Sequence, residues 1–112
     1  METVEIETSC LTLRSERDGN THILCLAGEF DLSSAEAFEA EMRRVEQDDA
    51  ALIIVSLEDL TFLDSTGLQL LLQATMRSRL DADRLRFFRP VSPQVQSLLR
   101  LTSLEGELDF LD

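Results

Sequence analysis

Four consecutive residues, Asp64-Ser65-Thr66-Gly67, place a carboxylate, two hydroxyls and a glycine side by side. Few other groups in the 112-residue chain could do chemistry. From local spacing alone the stretch reads as a helix N-terminus, with Asp64 or Ser65 accepting hydrogen bonds from free helix amides. Three features point beyond a simple cap. One hydroxyl or carboxylate suffices for capping, and here three polar residues follow one another. Gly67 would let the backbone approach Ser65 closely. Loops at the carboxyl ends of central strands are also where α/β sheets place their sites.

The remaining candidates are poor. His22 is the sole histidine and has no Cys or His at a ligand spacing, so neither a zinc site nor a Ser-His-Asp triad can be assembled. There is no G-x-S-x-G elbow, Walker sequence or G-x-G-x-x-G, and the four glycines leave little material for a phosphate-cradling loop. Asp64 to Gly67 differs from the Asp-Thr/Ser-Gly of aspartic proteases by one inserted residue, and it leads into a helical pattern. We expect no enzyme, metal or cofactor. Cys10 and Cys25 do not form a C-x-x-C pair. With Asp18-Gly19 as a hairpin turn, position 25 falls opposite position 12, which argues against a disulfide and for two buried free thiols.

Composition bounds the rest. With 22 acids against 10 bases, all arginine, the formal charge is −12 and would repel nucleic acid and anionic lipid. The acidity is regional: residues 1–64 carry 16 acids and 4 bases, whereas residues 65–89 carry 2 and 5. Arg77, Arg79, Arg84, Arg86 and Arg89 form a basic stretch without interleaved aromatics, which reads as a solvated face rather than a nucleic-acid site. An acidic start without an apolar h-region argues against a secretory signal, and Ala50 to Val55, the longest purely apolar run, is far short of a membrane span. We expect one cytoplasmic domain over residues 1–112.

These residues need elements to position them. Thr3 to Leu13 and Thr21 to Glu29 flank Arg17-Asp18-Gly19-Asn20 and predict an N-terminal β-hairpin. Ser33 stands three residues before Glu36, a reciprocal capping pattern, and opens a helix to about Gln47. Its predicted stripe is Ala35, Phe38, Met42 and Val45, with Glu39, Glu41, Arg43 and Arg44 exposed. Leu52 to Leu57 reads as a central strand covered on both faces. After Leu60 to Leu63, a second helix carries Leu68, Leu71, Leu72, Thr75, Met76 and Leu80 on one side. Leu85 to Phe88 predicts a strand, Ser92 to Leu101 a third helix with Val95, Leu98 and Leu99 inward, and Leu108 to Leu111 a last edge strand. Alternating strands and helices imply parallel neighbours joined by right-handed crossovers. The expected class is α/β, with a mixed four- or five-stranded sheet and three helices.

Leu57-Glu58-Asp59-Leu60-Thr61-Phe62-Leu63-Asp64-Ser65-Thr66-Gly67-Leu68 resembles the signature of STAS domains, in particular the bacterial anti-sigma-factor antagonists (anti-anti-sigma factors). Gly28-Glu29-Phe30-Asp31-Leu32 is similar to the Gly-Glu-hydrophobic-Asp turn before the first helix of that family. The likeness extends to about Leu104. Members usually continue past the last strand into a C-terminal helix, whereas this chain stops at Asp112. The resemblance implies that Ser65 is phosphorylated by an anti-sigma factor, a GHKL-type serine kinase that is also the binding partner, with a PP2C-type phosphatase as candidate for reversal. It implies partner binding through Gly28, Glu29, Phe30, Asp31 and Ser33, through Asp64, Ser65, Thr66 and Gly67, and through the following helix face at Gln69. The alternative is a non-switching STAS scaffold or sensory subunit of a signalling or transporter complex.

Overall fold

A computed structural model describes residues 3–111. Five strands form one mixed sheet in the order of the chain: β1 (Thr3–Glu7), β2 (Leu11–Asp18), β3 (Thr21–Phe30), β4 (Leu52–Leu63) and β5 (Leu85–Phe87). The first two pairings are antiparallel; β3 with β4 and β4 with β5 are parallel, as crossover helices require. Those helices are α1 (Ala35–Glu46) and α2 (Ser65–Leu80), and α3 (Pro93–Thr102) packs against β4. None of the helices is long and apolar enough to cross a membrane.

The expected first strand divides in two. Thr8 donates its amide to the carbonyl of Leu11 and accepts the Leu11 amide on its hydroxyl, so a tight turn folds β1 back on β2 without glycine or proline. At the next hairpin Asp18 pairs with Thr21, leaving Gly19 and Asn20 as the central residues, with Gly19 at φ +62°. Cys25 therefore pairs with Arg14, not with position 12. The thiols are free, as expected, but they are not buried: Cys10 is exposed and Cys25 half-buried. Burial, then the neighbouring Glu16, pushes the Cys25 thiol above its ordinary pKa.

Alternate residues of β2, β3 and β4, including Leu11, Leu13, Leu24, Leu26, Ile53 and Val55, face one cluster with Phe38, Met42 and Val45 of α1 and Leu68, Leu71 and Ala74 of α2. Val95 and Leu99 of α3 complete it. The central strand β4 is covered on this side only; Leu52, Ile54 and Ser56 on its other face are half-buried. Met76 and Leu80, expected in the α2 stripe, are exposed: five and nine residues beyond the buried Leu71 they fall on the opposite side of the helix, and Ala74 and Thr75 supply the inward contacts. The predicted last strand reduces to a single parallel bridge between Phe87 and Phe110, with Phe87 donating its amide to Asp109 and accepting one from Leu111.

Glu41 also differs from expectation: it is 2% exposed. Its carboxylate accepts hydrogen bonds from the Ser15 hydroxyl at 2.6 Å and from Arg44 at 2.6 and 3.0 Å, tying α1 to β2. Burial alone would raise the Glu41 pKa, but these donors outweigh it and hold the carboxyl below its ordinary value.

Candidate functional site

The site begins in the sheet register. From Cys25 to Phe30, β3 pairs with β4 from Ser56 to Leu63, so β4 spends two more residues over the same span. Two bulges absorb them. Inward residues in this part of β4 consequently recur every third position, at Leu57, Leu60 and Leu63, while Glu58, Asp59, Thr61 and Phe62 are exposed. Phe30 and Leu63 end as direct neighbours, and the Asp64 amide donates to the Phe30 carbonyl at 3.3 Å. Both strand-to-helix turns thus open side by side at the carboxyl end of the sheet.

Each turn is built on an aspartate. The Asp31 carboxylate accepts from the Ser33 amide at 2.9 Å and its hydroxyl at 2.6 Å, capping a 3-10 turn over Leu32–Ser34 that leads into α1. The expected reciprocal pair of Ser33 and Glu36 is not formed. Asp31 takes the amide, and Ser34 at the N-cap of α1 is buried, donating its hydroxyl to the carbonyl of Glu29 at 3.3 Å. In the second turn the Asp64 carboxylate accepts from the Gly67 amide at 2.9 Å, which makes Asp64 the N-cap of α2.

With Asp64 performing the capping, Ser65 is released from that task. It is the first residue of α2, exposed, and its hydroxyl makes no hydrogen bond among the described residues. Thr66 is half-buried and Gln69 exposed. Two glycines hold the surroundings. Gly28 has φ +98° and lies against the Cys10 carbonyl, where an added Cβ would approach the oxygen to 2.3 Å. The Glu29 amide donates to that same oxygen at 2.9 Å, and the Thr61 hydroxyl donates to the Gly28 carbonyl at 3.2 Å.

Phe30 and Gly67, expected among the partner-binding residues, are buried and support the surface from beneath rather than forming it. Phe30 is fully enclosed, its ring 4.7 Å from that of Phe38. Gly67 does not open access to Ser65; it lets the first turn of α2 press onto Phe30 and Leu63, with no room for a side chain. Glu29, Asp31, Ser33, Asp64, Ser65, Thr66 and Gln69 remain at the surface to varying degrees. Two residues absent from the expected set join them: Leu32, 73% exposed, and Phe62, 45% exposed. Phe62 escapes sequence reading because strict alternation along β4 gives no account of a bulge. Leu32, an apolar residue between two turn-forming polar ones, was the available signal.

The surface is acidic and shallow, and none of the described hollows of substantial volume includes Ser65. No group of His, Cys, Asp and Glu among the described residues could hold a metal ion. The arrangement places an exposed hydroxyl on a helix N-terminus beside the capping Asp64 carboxylate, with Asp31 and the exposed Leu32 and Phe62 on the two strand ends and turns that meet there.

Comparison with known proteins agrees with this fold. An anti-sigma factor antagonist from Mycobacterium paratuberculosis superposes with a TM-score of 0.75 at 22% identity, over 89% of this chain and 84% of that one. The anti-sigma factor antagonist SpoIIAA in its unphosphorylated form gives 0.69 at 25% identity, over 89% and 88%. The Bacillus cell fate determinant SpoIIAA in the phosphorylated form gives 0.65 at 24% identity, over 89% and 91%. No curated protein matches the sequence. A family model described as "Mlab, STAS domain" matches residues 13–111, and the chain therefore belongs to the STAS-domain family.

Proposed function

We propose that this protein is an anti-sigma-factor antagonist. Unmodified, it binds an anti-sigma factor that is also a GHKL-type serine kinase, and the held sigma factor is released. Phosphorylation of Ser65 ends the binding, and a PP2C-type phosphatase restores it. The observation that carries this reading is the Ser65 hydroxyl: exposed, without a hydrogen bond among the described residues, on a turn whose capping is done by Asp64. The likeness to one antagonist in both unphosphorylated and phosphorylated forms supports it.

The electrostatics suit a switch at the surface. A phosphate brings about −1.5 to −2 charges, and a helix N-terminus tolerates an anion locally. The cost falls on docking, where the phosphate must shed water beside Asp64 and the neighbouring Asp31 turn. A loss of ~2–4 kcal/mol weakens binding roughly 30- to 1,000-fold.

Phosphopeptide mass spectrometry of the protein from growing cells, paired with Ser65→Ala, tests the assignment. The expected result is phosphate at Ser65, lost in the variant while partner binding persists; unchanged incorporation at another residue would refute it. A second reading, a constitutive STAS subunit of a signalling or transporter complex, is compatible with the family match, which is to a STAS domain as such. In that case the purified partner is a transporter ATPase or other STAS proteins, and Ser65 carries no phosphate.

A further inference from the structure

The face of the sheet turned away from the helices carries a row that crosses four strands: Glu16 on β2 pairs with Ile23 on β3, Ile23 with Ile54 on β4, and Ile54 with Arg86 on β5. Opposite charges thus close the two ends of an apolar centre. Neither isoleucine belongs to the core cluster. Beside the row, Cys25, Ala27 and Leu52 face the same way and are likewise half-buried. A shallow hollow of about 330 Å³ here is lined only by strand residues, among them Glu16, Ile23 and Cys25, so no helix covers it. We propose that a second copy of this chain covers this face, the two sheets packing about a two-fold axis parallel to the strands and midway between β3 and β4.

Charge complementarity selects that occupant. Rotation about this axis exchanges left and right across the sheet, so Ile23 of one copy meets Ile54 of the other. Glu16 and Arg86 lie equally far from the axis and meet in two equivalent pairs, which is the self-complementarity an isologous contact needs. Sheets packed face to face sit about 10 Å apart with strands nearly aligned, within reach of Glu and Arg side chains. Their present partners are weak. Among the described residues Glu16 has Arg14 at 4.0 Å, and Arg86 holds the exposed Asp83 at 3.3 Å together with the carbonyl of Leu85. The net charge of −12 opposes association in general; on this face Arg14 and Arg86 stand with Glu5, Glu16 and Asp59 around an apolar centre, so opposite charges can be paired across two copies.

Strand spacing and rise give about 450 Å² per copy. The two copies together bury about 900 Å², below most stable interfaces, so the dimer should be concentration-dependent, half-associated between about 1 and 100 μM. The face does not include Ser65, so the inference stands or falls apart from the proposed function.

Sedimentation velocity over that concentration range tests it. The parent is expected to pass from monomer to dimer, and Ile54→Arg to weaken association by about 100-fold or more. Glu16→Arg and Arg86→Glu should each weaken it at least about tenfold, and the double reversal should restore it. Circular dichroism melts establish that each variant is folded. A parent that stays monomeric throughout overturns the inference, as does a dimer indifferent to Ile54→Arg. Single reversals that weaken association without recovery in the double variant overturn the symmetric pairing.

Discussion

Gly67→Ala isolates what holds the Ser65 turn in place. Within a helix, alanine is intrinsically better than glycine by about 1 kcal/mol, so the substitution stabilises if nothing else changes. Here the added Cβ would lie 2.6 Å from a terminal methyl of Leu63, 2.9 Å from the Phe30 carbonyl oxygen and 3.1 Å from Cγ of the Phe30 ring. The Leu63 methyl can rotate away. The Phe30 oxygen cannot move freely, because it accepts the Asp64 amide and belongs to the β3–β4 ladder; the ring is fixed against Phe38. Overpacking of this kind costs typically ~1–3 kcal/mol; with two of the three contacts unable to yield, the upper part of that range, ~2–3 kcal/mol, applies, and the propensity gain of ~1 kcal/mol leaves a net loss of about 1–2 kcal/mol. For a chain of this length that corresponds to a fall in Tm of about 4–10 °C. Gly106→Ala is the control, since nothing lies within 4 Å of its added Cβ, and it should change stability by no more than about 0.5 kcal/mol. Calorimetry of the three proteins settles the matter. A Gly67→Ala protein melting at or above the parent would show that the turn is not wedged against Phe30 and that the placement of Ser65 has another origin.

Ser65→Asp should bind the anti-sigma partner at least about tenfold more weakly while melting within a few degrees of the parent, measured by titration calorimetry and circular dichroism; a severe drop in Tm would make Ser65 a structural residue. Glu41→Ala leaves the Ser15 hydroxyl without its buried acceptor and should cost about 2–4 kcal/mol in urea unfolding, whereas Glu41→Gln, which keeps an acceptor oxygen, should cost less. The His22 ring at 2.8 Å, followed by Arg17, holds the Asp48 carboxyl well below its ordinary pKa. Its stabilising contribution is therefore complete above the unfolded-state value of about 3.9 and disappears as pH falls below it. Tm plotted against pH should drop less steeply below about pH 4 in Asp48→Asn than in the parent. Leu32→Ser and Phe62→Ser, both at exposed positions, should weaken partner binding at least about tenfold with little effect on Tm.

Periodicity reveals what depends on one element at a time. The stripe of α1 at Phe38, Met42 and Val45, the start of α3 near Ser92 and the polar start of α2 all follow from local spacing, and the structure places them accordingly. What escapes depends on two segments meeting. Glu41 has an ordinary solvent-facing position on its helix until Ser15 and Arg44 supply its hydrogen bonds, and Ser15 lies 26 residues away. Met76 and Leu80 are apolar, yet they stand on the side of α2 opposite Leu68, Leu71 and Thr75 and so face solvent. The break at Thr8 uses a hydroxyl in place of the usual glycine or proline, so it resembles continuing strand. In the site itself, the aspartate cap and the exposed serine follow from residue type, whereas the burial of Phe30 and the exposure of Phe62 follow from register, which no single segment contains.

The two additional residues in β4 make strand length a design variable. Deleting either Glu58 or Asp59 would leave the hydrophobic content of the strand untouched and remove the first bulge, restoring one-to-one pairing between Cys25 to Ala27 and the residues after Ser56. Phe62 would keep its outward place, because the second bulge lies beyond the deletion. The bulges thus act as slack: this end of the strand can lose a residue and still deliver Asp64 and Ser65 to the same corner of the sheet.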